Sequence, residues 1–363
     1  MSSSTVLVAT RTALEDLIGQ LEGDALGLDT EFLRERTYRA ELCLLQIAST
    51  RGAFCVDPLA LEDLGPLRQP FTAAGTVKVL HAARQDLEVL APGVGAIAPL
   101  FDTQIAAALA GFPAQVGYAE LVRRLLGHEL PKGETRTDWS RRPLSAAQVE
   151  YALDDVRYLL PLRDALTAEL ERLGRSAWLE EDLRELVDPA LIVVDPDKAW
   201  QRFKGVRDWD EGRARLLASL AAWRERRAMS RNRPRGWILD DAVLREVVQS
   251  VPRDRAALAR IPEMPEGVVK HSGDELLALV EDAGIADPPP PLPRRERPDP
   301  VLVARTKRLS SVVQAVAQEL GIAAEVLATR KLLEEIARGA DAAQTLHGWR
   351  ASLLAERLVA VLW

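Results

Sequence analysis

Three short apolar runs crowd between residues 25 and 57: ALGLDTEF, ELCLLQIAS and GAFCVD. Their connections are too short to hold a crossover helix, so the runs must be neighbouring antiparallel strands of one sheet. The rest of residues 1–190 alternates in character. LEDLGPLRQPF is a short helical piece, and VKVLHA is a strand that runs into the helix ARQDLEVL. DTQIAAALAGF and YAELVRRLLG carry helical spacing and end at glycine. A polar, basic loop, KGETRTDWSRRPL, spans 132–144. It leads into one long helical pattern that starts with Ser145 as N-cap, and Pro161 should kink or break it. Residues 1–190 are therefore expected to form a mixed α/β domain.

After VDPALIVVDPD only helical patterns remain. Amphipathic helices fill 205–286, a proline-rich linker covers 287–300, and helices resume over 301–363. The expected order is one α/β domain followed by two all-α bundles. Trp223-Arg224 and Trp349-Arg350 hint that the two bundles share a design, although the pairs fall at different places within them.

Composition narrows the function classes. The chain has 363 residues, of which 47% are hydrophobic, enough for a sizeable core. No apolar run approaches the roughly 18 residues of a membrane span, and the N-terminus does not read as a signal peptide. Cys43 and Cys55 sit in apolar runs, no Cys-x-x-Cys occurs, and the four histidines form no zinc pattern. A reducing cytoplasmic compartment is expected. The net charge of −7 argues against a nucleic-acid partner only until its distribution is read. Residues 201–260 hold 15 Lys and Arg against 8 Asp and Glu, so a basic segment is attached to an acidic body.

The first strand run ends in Asp29 and Glu31. Alternation puts both carboxylates on one face, where they repel each other unless a cation lies between them. Asp86 follows a later strand, near the start of a helix. Tyr151 shares a helix face with Asp155, four residues on, and spacing leaves Asp154 as an alternative. Oxygen ligands without Cys or His point to Mg²⁺ or Mn²⁺ rather than zinc. Each part alone is commonplace: surface strands carry Asp-x-Glu, and acidic residues favour helix N-termini. His81 reads as structural and Asp102 as a helix N-cap.

The ordered set is less commonplace. LDTEF, LHAARQDLEVL, TRTDWSRRPL and YALDDVRYLLPL together resemble the DEDDy-type 3′–5′ exonucleases, and the whole chain resembles the ribonuclease D family with its C-terminal HRDC domains. The resemblance implies a ribonuclease H-like fold, a mixed sheet flanked by helices, followed by two HRDC-like helical bundles. It implies two divalent metal ions, Mg²⁺ or Mn²⁺, held by Asp29, Glu31, Asp86 and Asp155, which settles Asp155 over Asp154. Tyr151 would orient the attacking water. The implied activity is one-at-a-time removal of nucleoside 5′-monophosphates from RNA 3′ ends, with precursor tRNA and other small structured RNAs as substrates and a monomeric enzyme.

Candidate RNA contacts are Arg34 and Arg36 after the acidic strand, and Arg136 and Trp139 in the polar loop. In the basic segment they are Arg227, Arg231, Arg233 and Arg235, with Trp223 and Trp237 nearby as stacking surfaces. Two other functions fit less of the chain. A DNA exonuclease of proofreading or repair type would use a related site, but no polymerase or helicase motor is present. A non-catalytic RNA-binding protein would leave the five acidic and phenolic residues without a purpose.

Overall fold

The computed structural model describes residues 6–131, 137–187, 194–206, 209–285 and 299–362. The expected linker 287–300 lies almost wholly outside these residues, as does Arg136. By contact the chain forms two compact units: Met1–Leu33, Leu42–Ile192 and Pro298–Trp363 make the first, and Arg34–Glu41 with Val193–Arg297 the second.

The first unit is built on a six-stranded sheet of β1 (Leu7–Val8), β2 (Ala25–Leu33), β3 (Glu41–Ser49), β4 (Gly52–Val56), β5 (Val77–Leu80) and β6 (Leu100–Asp102), in the order β1-β4-β3-β2-β5-β6. β3 and β4 pair antiparallel with Gln46 opposite Cys55, while β1–β4, β2–β5 and β5–β6 are parallel. The sheet is mixed, as expected. β1 and β6 escape the sequence reading because two or three residues are too few to show alternation.

Helices cover both faces: α1 (Arg11–Ile18), α2 (Arg68–Thr72), α3 (Arg84–Val94), α4 (Thr103–Leu109), α5 (Tyr118–Leu126), α6 (Ala146–Arg157), α7 (Leu159–Leu173) and α8 (Ser176–Leu186). Leu26 and Leu28 of β2 pack with Leu45, Ile47, Leu80 and Leu87 on one side. On the other side Gly27 lets α7 approach, since a Cβ there would stand 3.2 Å from both Ala48 Cβ and Leu159 Cβ. Lys78 of β5 is fully buried, and its Nζ is satisfied by the carbonyls of Ala73, Thr76 and Ala98.

The long helical pattern after Ser145 is two helices. Ser145 forms a capping box with Gln148. The break comes at Tyr158, three residues before Pro161, which occupies the first turn of α7. Proline has no N–H to bond the carbonyl four residues back, so it fits a first turn and not an interior. Tyr118 fastens the break, its hydroxyl donating to Asp154 O at 3.0 Å and accepting from Tyr158 N at 3.1 Å.

In the second unit α9 (Glu211–Arg231) is followed by α10 (Arg235–Ile238), α11 (Asp241–Ser250), α12 (Arg255–Ala259) and α13 (Glu266–Asp282). Leu216, Leu217, Leu220, Val247, Leu258 and Leu276 form its core. Asn232 ends α9 in the left-handed region with φ 46°. Within this unit Glu225 is buried, receives the Tyr38 hydroxyl, and pairs with Arg235, whose Nη2 lies 2.6 Å from Oε1.

The last helices are α14 (Pro300–Leu320), α15 (Ala324–Leu327), α16 (Arg330–Ala337), α17 (Ala342–Leu346) and α18 (Gly348–Val359). By contact they group with the first unit. Their apolar residues join one cluster with Leu166, Leu170 and Leu179. Trp349 stacks on Trp178 with centroids 4.4 Å apart, and Arg350 Nη2 binds Asp182 Oδ2 at 2.9 Å.

Candidate active site

β2 ends with Asp29 and Glu31 on the face covered by α6 and α7, and with Thr30 on the opposite face. Thr30 Oγ1 donates to Asp86 Oδ1, so the first turn of α3 is tied to the acidic end of the strand. α6 brings Tyr151 and Asp155 to the same place, near enough for the phenol and the carboxylate to shift each other's proton affinity. Asp154 turns elsewhere and pairs with Arg157. All five expected residues of this group are thus gathered: Asp29, Glu31, Asp86, Tyr151 and Asp155.

Their electrostatics follow from the gathering. Burial holds the Asp29 carboxyl well above the ordinary carboxylate range, and the charges of Asp86, Asp155 and Glu31 push it further. Glu31 is raised to about 8 by burial, then by Asp155 and Asp86. Asp155 is raised to about 7 by burial and by Asp154, against the Tyr151 hydrogen bond. Asp86 is raised to about 6 by burial, against the Thr30 hydrogen bond. The Tyr151 phenol is also pushed up, by burial and then by Asp155 and Glu31.

Among the described residues, no group of three or more His, Cys, Asp or Glu side chains is arranged so as to enclose a metal ion. The donor set nevertheless fits one. Asp29 and Glu31 are pushed up by the charges of Asp86 and Asp155, so the four carboxylates form a cluster of like charge, and hard oxygen donors suit hard divalent cations.

The surroundings are structural. His81 Nδ1 lies 2.9 Å from Thr103 Oγ1 and its Nε2 lies 3.0 Å from Val116 O, and burial lowers its pKa. Asp102 caps α4 by accepting from Gln104 N and Ile105 N. Sequence reasoning missed Arg142, which grips Asp57 and also donates to Cys43 O at 2.7 Å and Trp139 O at 2.8 Å. Its neighbour Pro143 obscures it, because the segment reads as loop.

One expected RNA contact is corrected. Trp139 is 4% exposed and packs with Cys43, Leu44, Ala152 and Leu153, so its ring is core and has no face for a base. Arg235 is engaged with Glu225 through Nε and Nη2 and lies 4.7 Å over the Tyr38 ring. Arg227 is engaged with Glu275 at 2.7 Å and lies over Trp223. Arg34, Arg36, Arg231 and Arg233 are exposed, and Arg233 lies 5.7 Å over the exposed Trp237 ring.

Comparison with known proteins places these features. A 3′–5′ exonuclease family profile matches residues 5–171, and an HRDC domain profile matches residues 213–280. Ribonuclease D of Jannaschia sp. is 41% identical over 337 residues, covering 90% of this chain and 86% of that protein. Ribonuclease D of Acidiphilium cryptum is 38% identical over 362 residues, covering 96% and 90%. The crystal structure of Escherichia coli RNase D, described as an exoribonuclease involved in structured RNA processing, superposes with a TM-score of 0.85 at 32% identity over 98% of both chains.

Proposed function

This chain belongs to the ribonuclease D family of 3′–5′ exoribonucleases, and on that premise we propose that Asp29, Glu31, Asp86 and Asp155 hold two divalent cations, Mg²⁺ or Mn²⁺, against the last phosphate of an RNA chain. Hydrolysis by this family depends on divalent metal. The observation that carries the reading is the meeting of strand β2, helix α3 and helix α6 in one carboxylate cluster.

The bound cations supply charge neutralisation at the phosphate, a lowered pKa for the attacking water and stabilisation of the leaving 3′ oxygen. Asp29, Glu31 and Asp155 would hold the cations directly. Asp86, with one oxygen already held by Thr30, would act on them through water. Tyr151 orients the water. With its proton directed to Asp155, its oxygen would accept a hydrogen bond from that water. A phenol whose pKa is pushed above its usual value of about 10 cannot serve as the base near neutral pH. Water adds to phosphorus and the P–O3′ bond breaks. A nucleoside 5′-monophosphate leaves, and the shortened RNA keeps a 3′ hydroxyl.

Precursor tRNA and similar small structured RNAs are the substrates we propose, processed in the cytoplasm by a monomer. The basic surface of the second unit supports this, with exposed Arg231 and Arg233 for phosphate and Trp237 for base stacking.

The test uses RNA and DNA duplexes with unpaired 3′ tails and 5′ labels, treated with wild type and Asp29→Asn in Mg²⁺, Mn²⁺ or EDTA. Metal-dependent, stepwise shortening of RNA that vanishes in Asp29→Asn is expected. Preference for DNA, or shortening in EDTA, overturns the reading.

A further inference from the structure

Gln46 of β3 is fully buried, and neither its Oε1 nor its Nε2 has a hydrogen-bond partner among the described residues. An amide buried in this way costs about 1–3 kcal/mol. A methionine would fill similar space without that cost. The fold therefore gives no reason for an amide here.

The position of Gln46 in the sheet does give one. β2 and β3 are neighbours joined by a short connection, so they run antiparallel. The close approach of Gly27 to Ala48 sets those two residues across from each other. Two residues onward along β2 and two back along β3, Asp29 faces Gln46 on the same side of the sheet. On its other flank Gln46 is paired with Cys55. The row across three strands reads Asp29, Gln46, Cys55. Facing Cβ atoms in such a row are about 4.5–5.5 Å apart, within reach of a glutamine side chain. Cys55 is a buried thiol and a poor partner for an amide, whereas Asp29 carries strong acceptors.

We propose that Gln46 is a positioning residue for the reaction: when a divalent cation is held, its side-chain amide, unpartnered in this structure, turns to donate to the Asp29 carboxylate and fixes the orientation in which that carboxylate holds the cation. The residue type suits the task. A neutral amide donor orients Asp29 and leaves its charge for the cation, whereas a lysine would neutralise it and a second carboxylate would repel it. The inference rests on Asp29 being a metal ligand.

The experiment compares wild type, Gln46→Met, Gln46→Leu and Asp29→Asn in three measurements: melting temperature without metal, Mn²⁺ binding by calorimetry, and steady-state kinetics on a tailed RNA duplex. Both Gln46 variants are expected to melt no lower than wild type, because an unpartnered amide has been removed. They should bind Mn²⁺ about tenfold more weakly and lose about tenfold in kcat, with KM for RNA within about twofold of wild type. Wild-type kcat and Mn²⁺ affinity in a folded variant overturn the proposal. So does failure of both variants to fold, since an amide the fold cannot lose is structural. Full activity in Asp29→Asn would sink the metal-ligand reading itself. An inactive Asp29→Asn beside a fully active Gln46→Met would sink only the role of Gln46.

Discussion

Arg142 holds Asp57 with both edges of its guanidinium, Nε to Oδ2 at 2.6 Å and Nη2 to Oδ1 at 2.7 Å. The same guanidinium donates to carbonyls of β3 and of the segment before α6. One side chain therefore ties the end of β4, the edge of β3 and the approach to the Tyr151 helix into a single frame.

Burial alone would raise the Asp57 carboxyl, but the Arg142 hydrogen bonds and charge hold it below the ordinary carboxylate range. A depressed carboxylate pKa gives stability that is present above the unfolded value of about 4 and is lost as pH falls through the folded value. Asp57→Asn should lower unfolding free energy by about 3 kcal/mol at pH 7. Its deficit should shrink as pH drops below about 4. Urea melts of both proteins from pH 3 to 8 read this directly, and a deficit independent of pH would contradict it.

Tyr151→Phe removes one oxygen and leaves the ring against Trp139, whose centroid lies 6.1 Å away. We expect kcat to fall by about 10²-fold with KM for RNA nearly unchanged. Full activity would end the assignment of Tyr151 to the attacking water.

Asp154 and Asp155 are adjacent and chemically identical, yet only Asp155 faces the carboxylate cluster. Asp155→Asn should cost about 10²–10³-fold in kcat. Asp154→Asn, which breaks a pair with half-exposed Arg157, should stay within a few-fold of wild type. Equal losses in the two variants would show that the helix presents both.

Arg231→Ala and Arg233→Ala should weaken RNA binding without changing turnover at saturating RNA. Each lost phosphate contact should reduce the slope of log affinity against log salt by about 0.7. An unchanged slope would remove these arginines from the RNA-binding surface.

The short strands around Asp29 and Glu31 were legible because alternation is a local periodicity, and Tyr151 with Asp155 was legible because helical spacing is another. Trp139 was misread because a tryptophan in a polar loop looks exposed until β3, β4 and α6 close over it. A run of arginines reads as a phosphate track, and a buried Glu225 engages one of them. The helices after residue 300 have the right amphipathicity for a bundle, but which partner their apolar faces meet is decided by residues more than a hundred positions away.

The sequence by itself determined the element types, the order of the acidic residues and the charge asymmetry, since all of these depend on neighbours a few residues apart. Only the tertiary structure decided that Asp154 turns to Arg157 while Asp155 meets the acidic strand, that Arg142 frames the approach to α6, and that the Gln46 amide is buried without a partner among the described residues. Those facts depend on strand register and helix rotation, which long-range packing sets and no local pattern records.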